Sequence, residues 1–242
     1  MISKNKLKEL AAYRLQKKQD EEGVFVVEGV KLAAEAIAAG AEVLYTCAVT
    51  GWQAPEGSVG EMYEVSQTEL ERLSLMKTPN QVWMVVRRTK PDINSGSTSP
   101  LILALDRIQD PGNMGTIMRT ADWYGIRRIV CSRDTVSCYN SKVVQASMGA
   151  VFRTQVEYVD LPQWLADCGI PVYGASLKGE PLEGKVHGTN VLLIGNESLG
   201  ISNEAMAAVT RPVLIPNIGG TAESLNAAVA AAILIDRMIA AR

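Results

Sequence analysis

LILALDRIQDPGNMGTIMRTADWYGIRRIVCS, residues 101–132, reads as a strand, a polar turn, a helix and a second strand. Leu101–Asp106 is an apolar run of strand length, a helix is expected from about Met114 to Tyr124, and Arg128–Ser132 is the returning strand. Two strands joined by a crossover helix pair in parallel. The alternation continues to the end of the chain. A helix near Ser141–Met148, a strand near Val156–Val159, a helix at Pro162–Asp167 and strands at Val172–Ala175 and Val191–Gly195 follow. A helix at Asn203–Val209, a strand at Val213–Pro216 and a long helix at Ser224–Ala241 complete the pattern. Such a series predicts an α/β fold with a mainly parallel sheet covered on both faces. Ligands of these sheets bind beyond the carboxyl ends of the strands, so the loops there carry the question of function.

Upstream, KPDINSGSTSP (90–100) has no apolar periodicity and is rich in Pro, Gly and Ser, as a linker is. It divides the chain into a domain at 1–90, a linker at 91–100 and a domain at 101–242. The first piece opens on a helix with Leu7, Leu10, Ala11 and Leu15 on one face. Val24–Val27 reads as a strand, Lys31–Ala39 as a helix closed by Gly40, and Glu42–Thr50 as a second strand. Ser66-Gln67-Thr68-Glu69 is a capping box opening a helix to about Met76, and Val82–Arg88 is a closing strand. This is a small α/β unit.

The composition excludes several classes. Apolar residues make up 47% and charged residues 21% of the 242, close to the globular average, so a disordered or collagen-like chain is ruled out. The longest apolar run, Ala227–Ile235, is nine residues, against the about 20 a membrane helix needs. No apolar signal core follows MISKNKLKEL, and a cytoplasmic protein is expected. The cysteines, at 47, 131, 138 and 168, form no C-x-x-C pair, and the single histidine, His187, sits in a loop-like GKVHG. No metal site is expected.

Three loops at strand ends hold the polar residues: 106–115, 195–200 and 216–226. None contains G-x-G-x-x-G, a phosphate-loop motif or a nucleophile elbow. In the first, Asn113 lies near a helix start, where a plain N-cap would explain it, and Arg119 follows on the helix. In the second, Glu197 stands just beyond the strand Val191–Ile194; a surface carboxylate in a turn is the plain alternative. In the third, Gly219-Gly220 permits backbone shapes closed to other residues, Ser224 is placed to cap the final helix, and Asn226 lies in its first turn.

Taken together, LDRIQDPGNMGTIMRTADWYGI (105–126), LLIGNESLGIS (192–202) and IPNIGGTAESLNAAVAAAILI (215–235) resemble the SpoU family of RNA ribose methyltransferases. The resemblance spans essentially all of residues 101–242, and three ordered motifs make it specific. The first piece, with SKNKLKEL and EEGVFVVEGVKLAAEAI, looks like the substrate-binding domain that often precedes this catalytic domain. The resemblance implies a parallel-sheet catalytic domain with a deep C-terminal trefoil knot, preceded by a small α/β RNA-binding domain. It implies a homodimer that methylates a ribose 2′-OH with S-adenosylmethionine as cofactor. Carried over by position, Asn113, Arg119, Glu197, Ser224 and Asn226 match the motif residues implied to be catalytic. Gly195, Ile215, Leu225, Ile194 and Gly220 fall where the cofactor is implied to be held, although Ile194 by itself reads first as ordinary core. Ser198 departs from the glycine that relatives often have after the acid.

The chemistry is compatible with these residues. Methyl transfer from a sulfonium to a hydroxyl is an in-line displacement, in which the protein supplies binding, orientation and electrostatics. A guanidinium rarely deprotonates, so Arg119 is read as stabilising the developing alkoxide or an adjacent phosphate rather than as a base. Asn113 and Glu197 are expected to hold Arg119 and the ribose in place. RNA needs positive charge to meet its phosphates. The net charge of −2 does not provide it, but Lys4, Lys6, Lys8, Arg14, Lys17 and Lys18 face a single acid, Glu9, within residues 1–18. A 2′-OH target means RNA rather than DNA. The domain arrangement favours ribosomal RNA, with transfer RNA as the rival and a non-catalytic RNA-binding factor as the alternative of another class.

Overall fold

A computed structural model of the chain describes residues 2–88, 101–182 and 184–240. The linker expected at 91–100 and the last residue of the helix expected to reach Ala241 lie outside the described residues. The chain forms two compact units: the described residues to Arg88 together with Tyr139–Arg153, and the remainder.

The second unit is a six-stranded sheet. Its strands are β5 (Leu101–Leu105), β6 (Arg128–Ser132), β7 (Gln155–Val159), β8 (Val172–Pro181), β9 (Asn190–Ile194) and β10 (Arg211–Leu214). Their order is β10-β8-β9-β5-β6-β7, and every pairing is parallel. A parallel sheet is covered on both faces, so its central strands are unbroken apolar runs. LILAL in β5 and VLLI, after Asn190, in β9 are such runs, and nearly all of both strands is buried. Helix α5 (Pro111–Trp123) buries Met114, Ile117, Met118 and Ala121, one stripe at helical spacing. Helix α9 (Ala227–Ala240) packs against α5 and buries Ala231, Leu234, Ile235 and Met238. Small side chains on α9 allow close approach. Helices α7 (Leu161–Asp167) and α8 (Asn203–Met206) complete the unit.

Sheet order locates the ligand crevice. From β5 the chain runs outward through β6 to β7, then crosses to the other side and supplies β8, β9 and β10. The order therefore reverses between β5 and β9, and loops leaving the carboxyl ends of those neighbours diverge to leave a crevice. At the far edge, the pairing of β8 with β10 jumps from Gly174↔Pro212 to Glu180↔Val213, so the middle of β8 arches out of register. Gly179 lies where the backbones touch again: a Cβ there would meet the Pro212 carbonyl carbon at 2.6 Å.

The first unit is a four-stranded sheet of order β1-β4-β2-β3, formed by β1 (Val24–Glu28), β2 (Val43–Val49), β3 (Glu61–Val65) and β4 (Val82–Arg87). One face is covered by α1 (Lys4–Ala11) and α4 (Gln67–Leu73) through Leu7, Leu10, Leu70, Leu73 and Trp83. The Ser66 and Glu69 capping box forms as expected, but α4 ends at Leu73 rather than near Met76. The opening helix also stops early. A 3-10 turn at Ala12–Arg14 breaks it, and Leu15 is extended and 66% exposed instead of sharing the buried face. Helix α2 (Gln16–Glu22) then starts; its sequence QKKQDEE has no apolar stripe to announce it. Helix α3 (Val30–Ala38) buries Leu32, Ala33, Ala36 and Ile37. With it lies α6 (Ser141–Ser147), which falls between β6 and β7 in sequence but packs with β1. Gln145 donates to the Glu28 carbonyl at 2.9 Å, Arg153 pairs with Glu35 at 2.6 Å, and the Phe25 ring meets Tyr139 and Phe152.

Glu28 ends β1 with 5% of its surface exposed. Its carboxylate accepts from the Ser74 hydroxyl and, at 3.0 Å, from the Leu75 amide. Burial raises its pKa above the ordinary 4.5, against the pull of those hydrogen bonds. A carboxyl raised on folding stabilises fully below its unfolded value, and that contribution is lost as pH rises through the folded value. The melting temperature of Glu28→Gln should therefore gain on wild type as pH rises from about 4.5 toward neutrality. A constant difference across that range in thermal melts would contradict this.

Candidate active site

The loops after β5 and β9 leave neighbouring strands at the same edge of the sheet. Asp106, just past β5, is 3% exposed, and its Oδ2 accepts from the Ser202 amide at 2.6 Å, tying the exit of the second loop to the start of the first. Asn196 shapes the second loop. Its Oδ1 accepts from the amides of Ser198 (2.9 Å) and Leu199 (3.1 Å), while its Nδ2 donates to the Arg107 carbonyl at 2.9 Å. Asn196 and Gly200 exchange backbone hydrogen bonds, closing a tight turn. Gly195 sits under that turn. A Cβ there would stand 2.3 Å from the Gly200 carbonyl carbon and from the Ile201 nitrogen, so the backbone approach requires glycine. In the third loop, Asn217 Oδ1 accepts from the amides of Gly219 (3.0 Å) and Gly220 (2.7 Å), and Gly219 has φ +101°.

Helix α5 begins earlier than expected, and this decides the role of Asn113. The N-cap is Asp110, whose side chain accepts from the Asn113 amide at 2.8 Å, and Pro111 occupies the first turn. The Asn113 side chain is thereby released from capping. Its Nδ2 donates to Glu197 Oε1, and its Oδ1 accepts from Asn226 Nδ2 at 2.8 Å. A carboxylate only accepts, so Glu197 sets the orientation of the Asn113 amide, and that in turn sets Asn226. Asn226 also caps α9, its Oδ1 accepting from the amides of Ala228 (3.0 Å) and Val229 (3.3 Å). The final helix thus starts at Ala227, not at Ser224. Asn serves the N-cap as well as Ser, and Ser224 is left exposed in the loop.

The structure therefore joins Asn113, Glu197 and Asn226, one residue from each loop. Arg119 is exposed on α5, with no side-chain hydrogen bond or ion pair among the described residues; Glu197 holds Asn113 and not Arg119. Around the loops, Leu199 and Leu225 are exposed, and Ile218 is 96% exposed. Ile194 is buried in β9 and offers only its backbone; Ile215 is half-buried, and Gly220 is exposed. Exposed apolar side chains beside glycine-lined backbone suit an adenine ring and its hydrogen-bonding edge. Asp106, Asn196 and Asn217, which brace the loops, are absent from the residues expected on sequence. The readable signal for the two asparagines was their place at turns, where Asn side chains bond the backbone two or three residues on.

In the first unit, Lys6 pairs with Glu9 at 2.8 Å and lies over the Tyr45 ring, while Lys17 and Lys18 pair with Glu21 and Glu22. Arg14 donates to the Arg72 carbonyl at 3.1 Å. Lys4 and Lys8 are exposed on α1. The cationic face is thus less positive than its six basic side chains alone indicate.

Residues 100–236 match the SpoU rRNA Methylase family, and residues 4–83 match an MRM3-like substrate binding domain. The 23S rRNA (guanosine(2553)-2′-O)-methyltransferase RlmP of Bacillus subtilis is 29% identical over 237 residues, covering 95% of this chain and 94% of the relative. A structure of a putative RNA methyltransferase of the TrmH family from Porphyromonas gingivalis superposes with a TM-score of 0.85 at 35% identity, covering 99% of both chains. An AdoMet-bound rRNA methyltransferase from Sinorhizobium meliloti superposes with a TM-score of 0.82 at 26% identity, covering 98% of this chain and 95% of the other.

Proposed function

Because the chain belongs to the SpoU rRNA methylase family, we propose that it methylates a ribose 2′-OH of ribosomal RNA, with S-adenosylmethionine as cofactor. The observation that carries the reading is the hydrogen-bonded chain Glu197–Asn113–Asn226, which draws three loops together at the topological switch point. Bound S-adenosylmethionine supplies an electrophilic methyl group on a sulfonium. The backbone around Gly195 and Gly220, with Ile194, Ile215 and Leu225, is the part of the chain that holds it. Glu197, Asn113 and Asn226 lock one another, so the polar groups facing the ribose need little reorganisation when substrate arrives. Arg119, without a side-chain partner among the described residues, meets the 2′-oxygen or a neighbouring phosphate, stabilising negative charge as the hydroxyl gives its proton to water. Ser224, exposed two residues before Asn226, contacts the substrate.

The first unit binds RNA through Lys4, Lys8 and Arg14, with Lys6, Lys17 and Lys18 exchanging their carboxylate partners for phosphates. The segment from β9 through α9 forms the trefoil knot, a reading supported by the return of Asn226 to Asn113. The working form is a cytoplasmic homodimer. Its interface includes the α5 and α9 surface, where Trp123 is 85% exposed and Val229 is also exposed.

Incubation with methyl-labelled S-adenosylmethionine and separate pools of unmodified ribosomal and transfer RNA tests the reading. Label should enter the ribosomal pool in linkages that resist alkali, and Arg119→Ala should lower incorporation by about 10²-fold or more. Label only in transfer RNA would reassign the substrate. Alkali-labile label, or no label in either pool, would overturn ribose methylation.

A further inference from the structure

Arg107 stands where an arginine is costly. It is the second residue beyond β5, and its φ is +58°, a left-handed conformation that glycine adopts freely and side-chain-bearing residues resist. Its backbone contacts do not call for arginine. The amide donates to Ser132 Oγ at 2.8 Å and the carbonyl accepts from Asn196 at 2.9 Å, bonds open to any residue type. Nor do its side-chain contacts repay the strain. One Nη donates to the Gly200 carbonyl at 3.5 Å, the outer limit of a hydrogen bond. Among the described residues the Nε is enclosed without a hydrogen-bond partner, and the carboxylate oxygen it pairs with, Asp106 Oδ1, lies 3.6 Å away. The other oxygen of Asp106 already accepts from the Ser202 amide. A group with five donors thus makes one long bond within the described residues, and the side chain remains 27% exposed.

The surroundings indicate what it lacks. Arg107 touches the second loop at Gly200, and its carbonyl is held by Asn196, next to Glu197. Asp106, Asp110 and Glu197 place three carboxylates on the same two loops. An RNA strand entering there brings further negative charge, and a ribose 2′-OH comes with its own phosphates beside it. We propose that Arg107 is a substrate-binding residue whose guanidinium takes a phosphate oxygen of the RNA next to the ribose held at Asn113, Glu197 and Asn226. A planar fork of donors suits a phosphate, and such contacts set the register of the strand rather than read its sequence. The proposal rests on the methyltransferase reading.

The test uses the full chain and Arg107→Gly, with Arg107→Lys as the conservative variant. Glycine suits the φ of this position, so Arg107→Gly should melt no lower than wild type. Its KM for ribosomal RNA should rise about tenfold, with affinity for S-adenosylmethionine unchanged and partial recovery in Arg107→Lys. In filter binding, which needs no turnover, the slope of log affinity against log salt should shrink by about one. An unchanged RNA KM and salt slope would overturn the proposal, as would weaker cofactor binding with RNA binding intact. Absence of methylation by the wild type would count against the enzymatic reading alone, because the filter-binding comparison still reports on the phosphate contact.

Discussion

Asn113→Ala is expected to lower methyl transfer by about 10²–10³-fold, the cost of removing one preorganised polar group from a reacting site. The loss has two sources. Glu197 loses the donor that holds it, and Asn226 loses its acceptor. Stability should fall much less, because the capping of α5 by Asp110 uses only the Asn113 amide nitrogen, which alanine retains. Asn113→Asp is the more telling variant. Its shape is the same, and one oxygen can still accept from Asn226, but the other now faces the Glu197 carboxylate. Two adjacent carboxylates raise the pKa of one of them. Below that value a shared proton restores the lost donor; above it the pair repels. Activity of Asn113→Asp should therefore fall with rising pH relative to wild type, and recover in part on acidification. A pH-rate profile parallel to that of wild type would show that the Glu197 contact does not govern the site.

Gly195→Ala carries the second large effect. Its methyl would stand 2.3 Å from the Gly200 carbonyl carbon and 2.5 Å from the Gly200 oxygen. Those are backbone atoms of a closed turn and have no rotamer to swing away. The second loop must shift, at about 1–3 kcal/mol by analogy with overpacked cores. For a chain of this size that lowers the melting temperature by about 3–10 °C. Affinity for S-adenosylmethionine should fall with it, because the displaced turn belongs to the proposed cofactor site. Gly200→Ala provides the contrast: nothing lies within 4 Å of its Cβ position, and only its φ of +67° opposes the change. If isothermal titration finds both variants equally impaired in cofactor binding, the close approach at Gly195 is not what shapes the pocket.

Much of the fold was legible because it rests on local chemistry. The apolar runs of β5 and β9, the capping box at Ser66 and the stripe of α5 each follow from a few neighbouring residues. What escaped had no such signal. QKKQDEE forms α2 without an apolar stripe, held by its neighbours and closed by Gly23 at φ +64°. EMYEV forms β3 at a sheet edge, where only Val65 is buried and no alternation is imposed. Two starts were misplaced for a different reason. Several residues within a few positions can cap a helix, and the choice of Asp110 over Asn113, and of Asn226 over Ser224, depends on which side chain is needed elsewhere. The site itself was legible only as separate loops. The links from Asn113 to Glu197 and Asn226 span 84 and 113 residues, and no periodicity encodes them. The resemblance grouped these residues but did not reveal that Glu197 holds Asn113 instead of Arg119.

Those separations also give the site an order of birth. As the chain emerges from the ribosome, Asn113 appears first, and Asp110 is already there to receive its amide. Glu197 follows 84 residues later, and Asn226 arrives last, bringing the start of α9 with it. A growing chain therefore carries the first loop as a lone helix start long before any polar cluster exists. Distant pairings are also the slow ones in folding. The growing protein is unable to complete the proposed site until the third loop has been made, so competence would be acquired in a single late step.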